Sequence, residues 1–140
     1  MDFQSDLWNS FHDGSIVEVR GELPNISLRV EIQYLREKLP GAGDSIWIHL
    51  KNCTLIRLTA WESERETQLG DINAEHDFEI LNAKTVDDSI HIFSPNGQLE
   101  LTYTGSNLEL DSGHVISWQE LSQVSQDYWK SFGKNPKQAY

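Results

Sequence analysis

Alternating hydrophobic and polar residues dominate the chain and predict β-strands. From Ile26 to Tyr34 the alternation is complete, with every second residue apolar. This pattern is typical of a strand with one buried and one solvated face. Shorter alternating runs lie at Val17–Leu23 and Ile46–Leu50. The run Thr54–Trp61 has large apolar groups on both faces, which indicates a central strand or one covered by another element.

Turn sequences in the second half of the chain predict further short strands. Pro95-Asn96-Gly97 separates the run Ser89–Phe93 from Leu99–Tyr103, and Gly105-Ser106 leads into Leu108–Leu110. Asn-Gly and Gly-Ser accept the positive φ angles of tight hairpin turns. The strands together predict a mainly β fold, an antiparallel β-sandwich or open barrel of about eight strands. An α+β fold is the alternative.

One amphipathic helix is predicted over residues 118–132. Ser117 can accept a hydrogen bond from an amide of the first turn, and Glu120 can reach back to the Ser117 amide, as in a capping box. Gly133 suits the left-handed residue that ends a helix. The apolar stripe consists of Leu121, Val124, Tyr128 and Phe132. The chain is therefore interpreted as a single domain, residues 1–140, closed by this C-terminal helix.

Charge narrows the range of partners. The chain has 140 residues, of which 22 are acidic and 11 basic, for a formal net charge of −11. Such a charge repels nucleic-acid phosphates and anionic lipid surfaces, so the sequence predicts neither nucleic-acid nor membrane binding. The charge fits high solubility or a basic protein partner, and of the two it favours a merely well-solvated surface. We expect no cofactor.

Location is predicted from what the chain lacks. No apolar run approaches the roughly 20 residues of a membrane helix, and the acidic start lacks the features of a signal peptide. Cys53 is the only cysteine, which excludes an intramolecular disulfide. We therefore expect a cytoplasmic protein of bacterial type.

The acidity is concentrated between residues 62 and 77, which we predict to be an acidic loop insertion. Few residues there could be buried, and carboxylates outnumber the single Arg65. Clustered carboxylates attract basic partners and raise association rates. The candidate partner-binding residues are Glu62, Glu64, Glu66, Asp71, Glu75 and Asp77. The alternative is a solvated insertion without function.

A candidate pocket is predicted from two groups of residues. In the first, Asp13 could orient His12 as a general base. We favour a structural alternative, in which His12 bonds backbone across the sheet while Trp8 and Phe11 fill the end of the core. In the second, His49 and Arg57 are expected to lie opposite one another and to line a concave face with Trp47. The alternative, which we favour, is that the C-terminal helix covers this face.

Motifs of enzymes and metal sites are missing from the sequence. No two of the five histidines lie within five residues of one another, whereas zinc ligands come in tight pairs. No Gly-x-Ser-x-Gly elbow and no glycine-rich nucleotide loop is present. The sequence therefore predicts no metal, and an enzyme is not the leading interpretation.

The stretch Leu7-Trp8-Asn9-Ser10-Phe11-His12-Asp13-Gly14-Ser15-Ile16 resembles the opening of small bacterial proteins with a Trp-x-x-Phe-His-Asp start. Some of these are classed as immunity proteins of polymorphic toxin systems. The resemblance covers ten to fifteen residues and the general layout of strands followed by a helix. It implies a non-catalytic protein that neutralises a toxin by binding it, and acidic immunity proteins commonly meet basic nuclease toxins.

Three functional hypotheses result. The leading one is a non-catalytic cytoplasmic interaction protein that binds a basic partner, in particular an immunity protein. The second is a small-molecule-binding β domain or small hydrolase-like enzyme with the His/Asp pocket. The third is a homodimer in which the tryptophan-rich helix face or an edge strand forms the contact.

Overall fold

A computed structural model describes residues 3–60, 65–67 and 78–133, which form two antiparallel sheets and three helices. The elements, in chain order, are α1 (Phe3–Asn9), β1 (Ser15–Glu22), β2 (Asn25–Glu31), α2 (Gln33–Arg36), β3 (Ser45–Lys51), β4 (Leu55–Ala60), β5 (Arg65–Thr67), β6 (Phe78–Glu79), β7 (Asn82–Val86), β8 (Ser89–Ser94), β9 (Gly97–Thr102), β10 (Gly105–Leu110), β11 (Val115–Ile116) and α3 (Trp118–Gly133).

The strands divide into a six-stranded sheet of order β11-β10-β3-β2-β1-β6 and a five-stranded sheet of order β5-β4-β9-β8-β7. All recorded strand pairings are antiparallel. The predicted mainly β fold with a C-terminal helix is thereby confirmed.

A single hydrophobic core joins the two sheets. The alternating apolar residues of β2 and β3 supply one side of it, and those of β8 and β9 supply the other, because successive strand residues point to opposite faces. Fully buried examples are Leu28, Val30, Ile46, Ile48, Ile92, Leu99 and Leu101. Leu7 and Trp8 of α1, with Phe11 from the turn that follows it, add three more fully buried side chains. The expectation that Trp8 and Phe11 fill the core is confirmed.

The predicted strand Ile26–Tyr34 is too long. Strand β2 ends at Glu31, and the short helix α2 follows, even though the apolar alternation continues to Tyr34. The Ile32 amide bonds the Asp44 carbonyl, and the chain then turns so that Arg36 is buried. A buried guanidinium requires several acceptors at once, and the turn supplies them.

Strand β5 lies within the stretch predicted as an acidic loop. Residues 65–67 pair with β4, with Ala60 opposite Arg65, so a short strand interrupts that loop. The remaining residues of 62–77 lie outside the described part of the chain. Residues 68–77 connect β5, an edge strand of the five-stranded sheet, to β6, an edge strand of the six-stranded sheet.

Helix α3 begins with the predicted capping box. The Ser117 hydroxyl accepts from the Glu120 amide, and the Glu120 carboxylate accepts from the Ser117 amide, both at 3.1 Å. Leu121 is fully buried, and the ring of Tyr128 packs on Tyr34 of α2 at 4.4 Å. Among the described helices, none combines the length and apolarity needed to cross a membrane.

Candidate functional site

An open cleft of about 290 Å³ lies on the outer face of the six-stranded sheet. Two of the predicted pocket residues, Trp47 and His49, line it from β3. The favoured expectation that the C-terminal helix covers this face is wrong, because α3 packs against α2 instead. The other lining residues are Arg20, Ser27, Glu109, Leu110, Asp111 and Gly113.

Three cleft side chains form a continuous hydrogen-bonded chain. Ser27 lies directly opposite His49 across the β2–β3 pairing, and Glu109 lies on β10 on the other side of β3. The Oγ of Ser27 is 2.7 Å from Nδ1 of His49, and Nε2 of His49 is 2.9 Å from Oε1 of Glu109. A carboxylate only accepts hydrogen bonds, so in the neutral imidazole of His49 the proton lies on Nε2, and Nδ1 accepts from the serine hydroxyl.

Positive charge and an aromatic ring lie beside this chain. The Arg20 guanidinium is 4.7 Å from the centre of the Trp47 ring, and the Arg29 guanidinium is 6.0 Å from it. Both arginines also bond the carboxylate of Glu18. Burial alone would raise the pKa of Glu18, but the hydrogen bonds from the two arginines outweigh it and lower that pKa.

One wall of the cleft is anchored by a buried ion pair. The fully buried Arg36 donates from Nε to Oδ1 of Asp111 at 2.8 Å. The other carboxylate oxygen of Asp111 accepts from the amides of Asp44 and Ser45. Burial acts to raise the pKa of Asp111, but Arg36 and the two amides lower it below its usual value. The turn after β10 is therefore held against the start of β3.

The predicted pocket residues His12 and Asp13 lie elsewhere, in an aromatic cluster. Nδ1 of His12 is 2.6 Å from the Leu81 carbonyl oxygen, and the Tyr34 hydroxyl donates to the His12 carbonyl at 2.6 Å. The Trp129 ring lies 6.3 Å from the His12 ring and 5.9 Å from the Tyr34 ring. We call His12, Tyr34, Leu81, Tyr128 and Trp129 the His12 cluster.

The contacts of the His12 cluster explain the raised pKa of Tyr34. Burial, the nearby carboxylate of Asp13 and the Tyr128 hydroxyl together raise the pKa of Tyr34, so that it remains a neutral donor. Asp13 itself adopts a positive φ of 73° and its carboxylate is 3.5 Å from Nε2 of His12. The backbone bond of His12 matches the structural interpretation and places its ring outside the cleft.

The five predicted pocket residues therefore do not form one site. The expectation that His49 and Arg57 lie opposite one another is wrong, because β3 and β4 belong to different sheets. Arg57 lies opposite Glu100 on β9, and their side chains form an ion pair. Strand alternation gave His49 and Arg57 similar orientations but carried no information about which sheet each strand joins.

The predicted partner-binding residues lie outside the described part of the chain, except for the backbone of Glu66 in β5. Within the described ranges, no three His, Cys, Asp or Glu side chains are grouped as metal ligands would be.

Sequence reasoning missed Ser27, Glu109 and Arg20. Their places on the polar face of alternating strands were visible, but the pairing that brings them to His49 was not.

In comparisons with known proteins, no family model, no curated protein and no solved structure matches this chain.

Proposed function

We propose that this protein binds a basic protein partner, using the His12 cluster as the apolar centre of the interface and surrounding carboxylates as its rim. The observation that carries the proposal is the partial exposure of two large apolar residues, Trp129 and Leu81, the second of which contacts the His12 ring through its carbonyl oxygen. Trp129 is 37% exposed and Leu81 is 38% exposed. Tryptophan and tyrosine are the residues that most often dominate binding energy in protein interfaces.

Charge pairing supports a basic partner. All four arginines whose side chains are described are bonded to carboxylates: Arg20 and Arg29 to Glu18, Arg36 to Asp111, and Arg57 to Glu100. Each of these guanidinium groups thus has a carboxylate partner within the protein, although Arg20 and Arg29 share the one carboxylate of Glu18. Exposed carboxylates include Asp6, Asp13, Glu22, Glu31, Glu37, Glu79, Asp87 and Asp88. The outward field is therefore negative, which steers positively charged partners toward the surface.

Carboxylates are concentrated near the His12 cluster. Asp13 adjoins His12, and its amide bonds the carbonyl of Ile80, next to Glu79. Ser15 pairs with Glu31 on one side and with Glu79 on the other. The acidic segment predicted from sequence, residues 62–77, ends directly before β6. An aromatic centre within a polar rim is the usual arrangement of a protein interface.

The resemblance of the opening residues to immunity proteins supports the same function. Those proteins neutralise a toxin by binding it, and the residues that carry the resemblance, Phe11-His12-Asp13-Gly14, lead into the cluster. The proposed partner is accordingly a basic toxin, and the proposed location is the cytoplasm.

The test is affinity capture from native lysate, followed by identification and by a dissociation constant measured with the purified partner. We expect a strongly basic protein, and we expect Trp129→Ala to weaken its binding by about 30-fold, the effect of a 2 kcal/mol hot spot. Reversing Glu64, Glu66, Asp71 and Glu75 to Lys should abolish capture and remove its salt dependence.

Matched controls separate the interface from general surface effects. Val115→Ala removes a large apolar group that is 69% exposed on the opposite edge strand. Glu22→Lys reverses a charge at the far end of β1 from Ser15. Both controls should bind normally. Capture that survives the four charge reversals, or equal weakening by Val115→Ala and Trp129→Ala, would contradict the proposal.

A further inference from the structure

The cleft combines a nucleophile, a base and an orienting group in one hydrogen-bonded chain. Ser27, His49 and Glu109 come from three neighbouring strands, and both of their mutual contacts are within 2.9 Å. Nucleophilic serines are activated by a base within hydrogen-bond reach that a third group orients. In serine proteases the acid holds Nδ1 and the serine bonds Nε2. In this cleft Glu109 instead bonds Nε2 and Ser27 bonds Nδ1, so a basic nitrogen still faces the serine.

The surroundings of this chain suit a reacting carbonyl group. The Arg20 guanidinium lines the same cleft and is held in place by Glu18, so it supplies fixed positive charge for a developing oxyanion. The Trp47 ring provides an apolar wall, and it lies parallel to His49 with an interplanar angle of 3°. The side chains of His49 and Glu109 are each 38% exposed, so a substrate can reach them.

A row of polar side chains on a solvated sheet would stabilise the strands slightly, but it would require neither a concave wall nor an adjacent cation. The cleft has both. Its wall is built by the turn after β10, which the buried Arg36–Asp111 pair holds in place. At about 290 Å³ the cleft lies at the small end of ligand sites, which favours a short acyl group.

We propose that this cleft hydrolyses small carboxylic esters through an acyl-serine intermediate, independently of partner binding. The Ser27 oxygen bonds the ester carbonyl carbon while its proton passes to Nδ1 of His49, and the carbonyl electron pair forms an oxyanion beside Arg20. The oxyanion collapses, the bond to the alkoxide breaks, and His49 returns the proton to the departing alcohol. Glu109 keeps the ring oriented through Nε2.

Water completes the reaction. It attacks the acyl carbon as His49 takes one of its protons, the bond to Ser27 breaks, and the serine oxygen recovers that proton. The balance is ester plus water giving acid plus alcohol, with no oxidant, reductant or other co-reactant. The roles of Ser27 and His49 are catalytic, whereas Glu109 is a positioning residue.

The experiment uses the full chain with p-nitrophenyl acetate and with a small fluorophosphonate. We expect ester turnover, an acyl burst and stoichiometric phosphonylation that peptide mass spectrometry assigns to Ser27. Ser27→Ala should lose the label, and Ser27→Ala and His49→Gln should each lower turnover by about 10²-fold or more. For Glu109→Gln we expect a smaller loss and a changed pH profile, a readout that a merely structural role would not move.

Ser15→Ala is the matched control, because Ser15 also lies half-buried on β1 but does not line the cleft. It should retain full turnover. An unlabelled Ser27, a label on another residue, or unchanged turnover in Ser27→Ala would overturn the proposal. Trp129→Ala should hydrolyse the ester normally, so failure of this proposal and failure of partner binding are distinguishable.

Discussion

Asp111→Ala should be among the most destabilising exchanges near the surface of this protein. The carboxylate neutralises Arg36, which is fully buried, and also accepts from the amides of Asp44 and Ser45. The remaining guanidinium bonds go to neutral carbonyl oxygens of residues 40–42 and to the Ser112 hydroxyl. Without Asp111, a buried cation would have no counter-charge among these contacts.

The size of the expected stability loss depends on which partner of the Arg36–Asp111 pair is removed. Removing one partner of a buried ion pair costs about 3–5 kcal/mol, because the other charge stays buried. We expect the lower part of that range, since Asp111 is 21% exposed. Arg36→Met removes the buried charge itself, and Asp111 keeps the amides of Asp44 and Ser45 as donors, so this exchange should cost about 1–2 kcal/mol. The melting temperature of Asp111→Ala should fall by roughly 12 °C.

The stability that the Asp111 carboxylate contributes should decrease at low pH. The folded-state pKa of Asp111 is lowered, so its carboxylate stabilises the fold fully above the pKa of the unfolded state, about 3.9. That contribution disappears as the pH falls through the lower, folded-state pKa. The difference between wild type and Asp111→Ala should therefore be constant near neutrality and should shrink below about pH 4.

Urea denaturation followed by tryptophan fluorescence measures these free energies at pH 7 and along a series down to pH 3. Glu37→Ala is the control, because Glu37 is an exposed carboxylate next to Arg36, and its removal should change the free energy of unfolding by less than about 0.5 kcal/mol. A loss below 1 kcal/mol for Asp111→Ala, or a larger loss for Arg36→Met, would refute the reasoning.

Three further exchanges or reactions test other parts of the structure. Tyr103→Phe removes the hydroxyl that accepts from Nε1 of the fully buried Trp8 at 2.9 Å, and it should cost about 1–3 kcal/mol in urea denaturation; an unchanged midpoint would contradict this contact. Ser117→Ala should cost about 1 kcal/mol and weaken the helical circular dichroism of α3, whereas Ser117→Gly should cost only a few tenths. Burial raises the pKa of the Cys53 thiol, so a disulfide reagent should modify it at least about 10²-fold faster in urea than in buffer; rapid modification of the native protein would show that the thiol is accessible.

Local patterns in the sequence determined much of the β fold. The alternation around Leu28 and Ile48 placed these residues in the core, because successive strand residues point to opposite faces whatever the partner strand is. Ser117 and Glu120 likewise predicted the start of α3, since a capping box involves residues only three positions apart. In the same way, the aromatic opening of the chain predicted that Trp8 would be buried.

Elements without a local pattern became visible only in the structure. Strand β7 buries only Ala83 among its five residues, so it shows no alternation that could predict it. Helix α2 interrupts an alternation that continues to Tyr34, and it places Arg36 where the following turn and the distant Asp111 both supply acceptors. In both cases tertiary contacts outweighed the local preference.

The candidate sites depended almost entirely on tertiary structure. The sequence showed that Ser27, His49 and Glu109 lie on polar strand faces, but only the register of β2, β3 and β10 brings them into contact. The sequence pattern also predicted that Arg57 lies near His49, but the two residues belong to different sheets. The physical reason is that side-chain direction is set within one strand, whereas strand pairing is set by the packing of the whole chain.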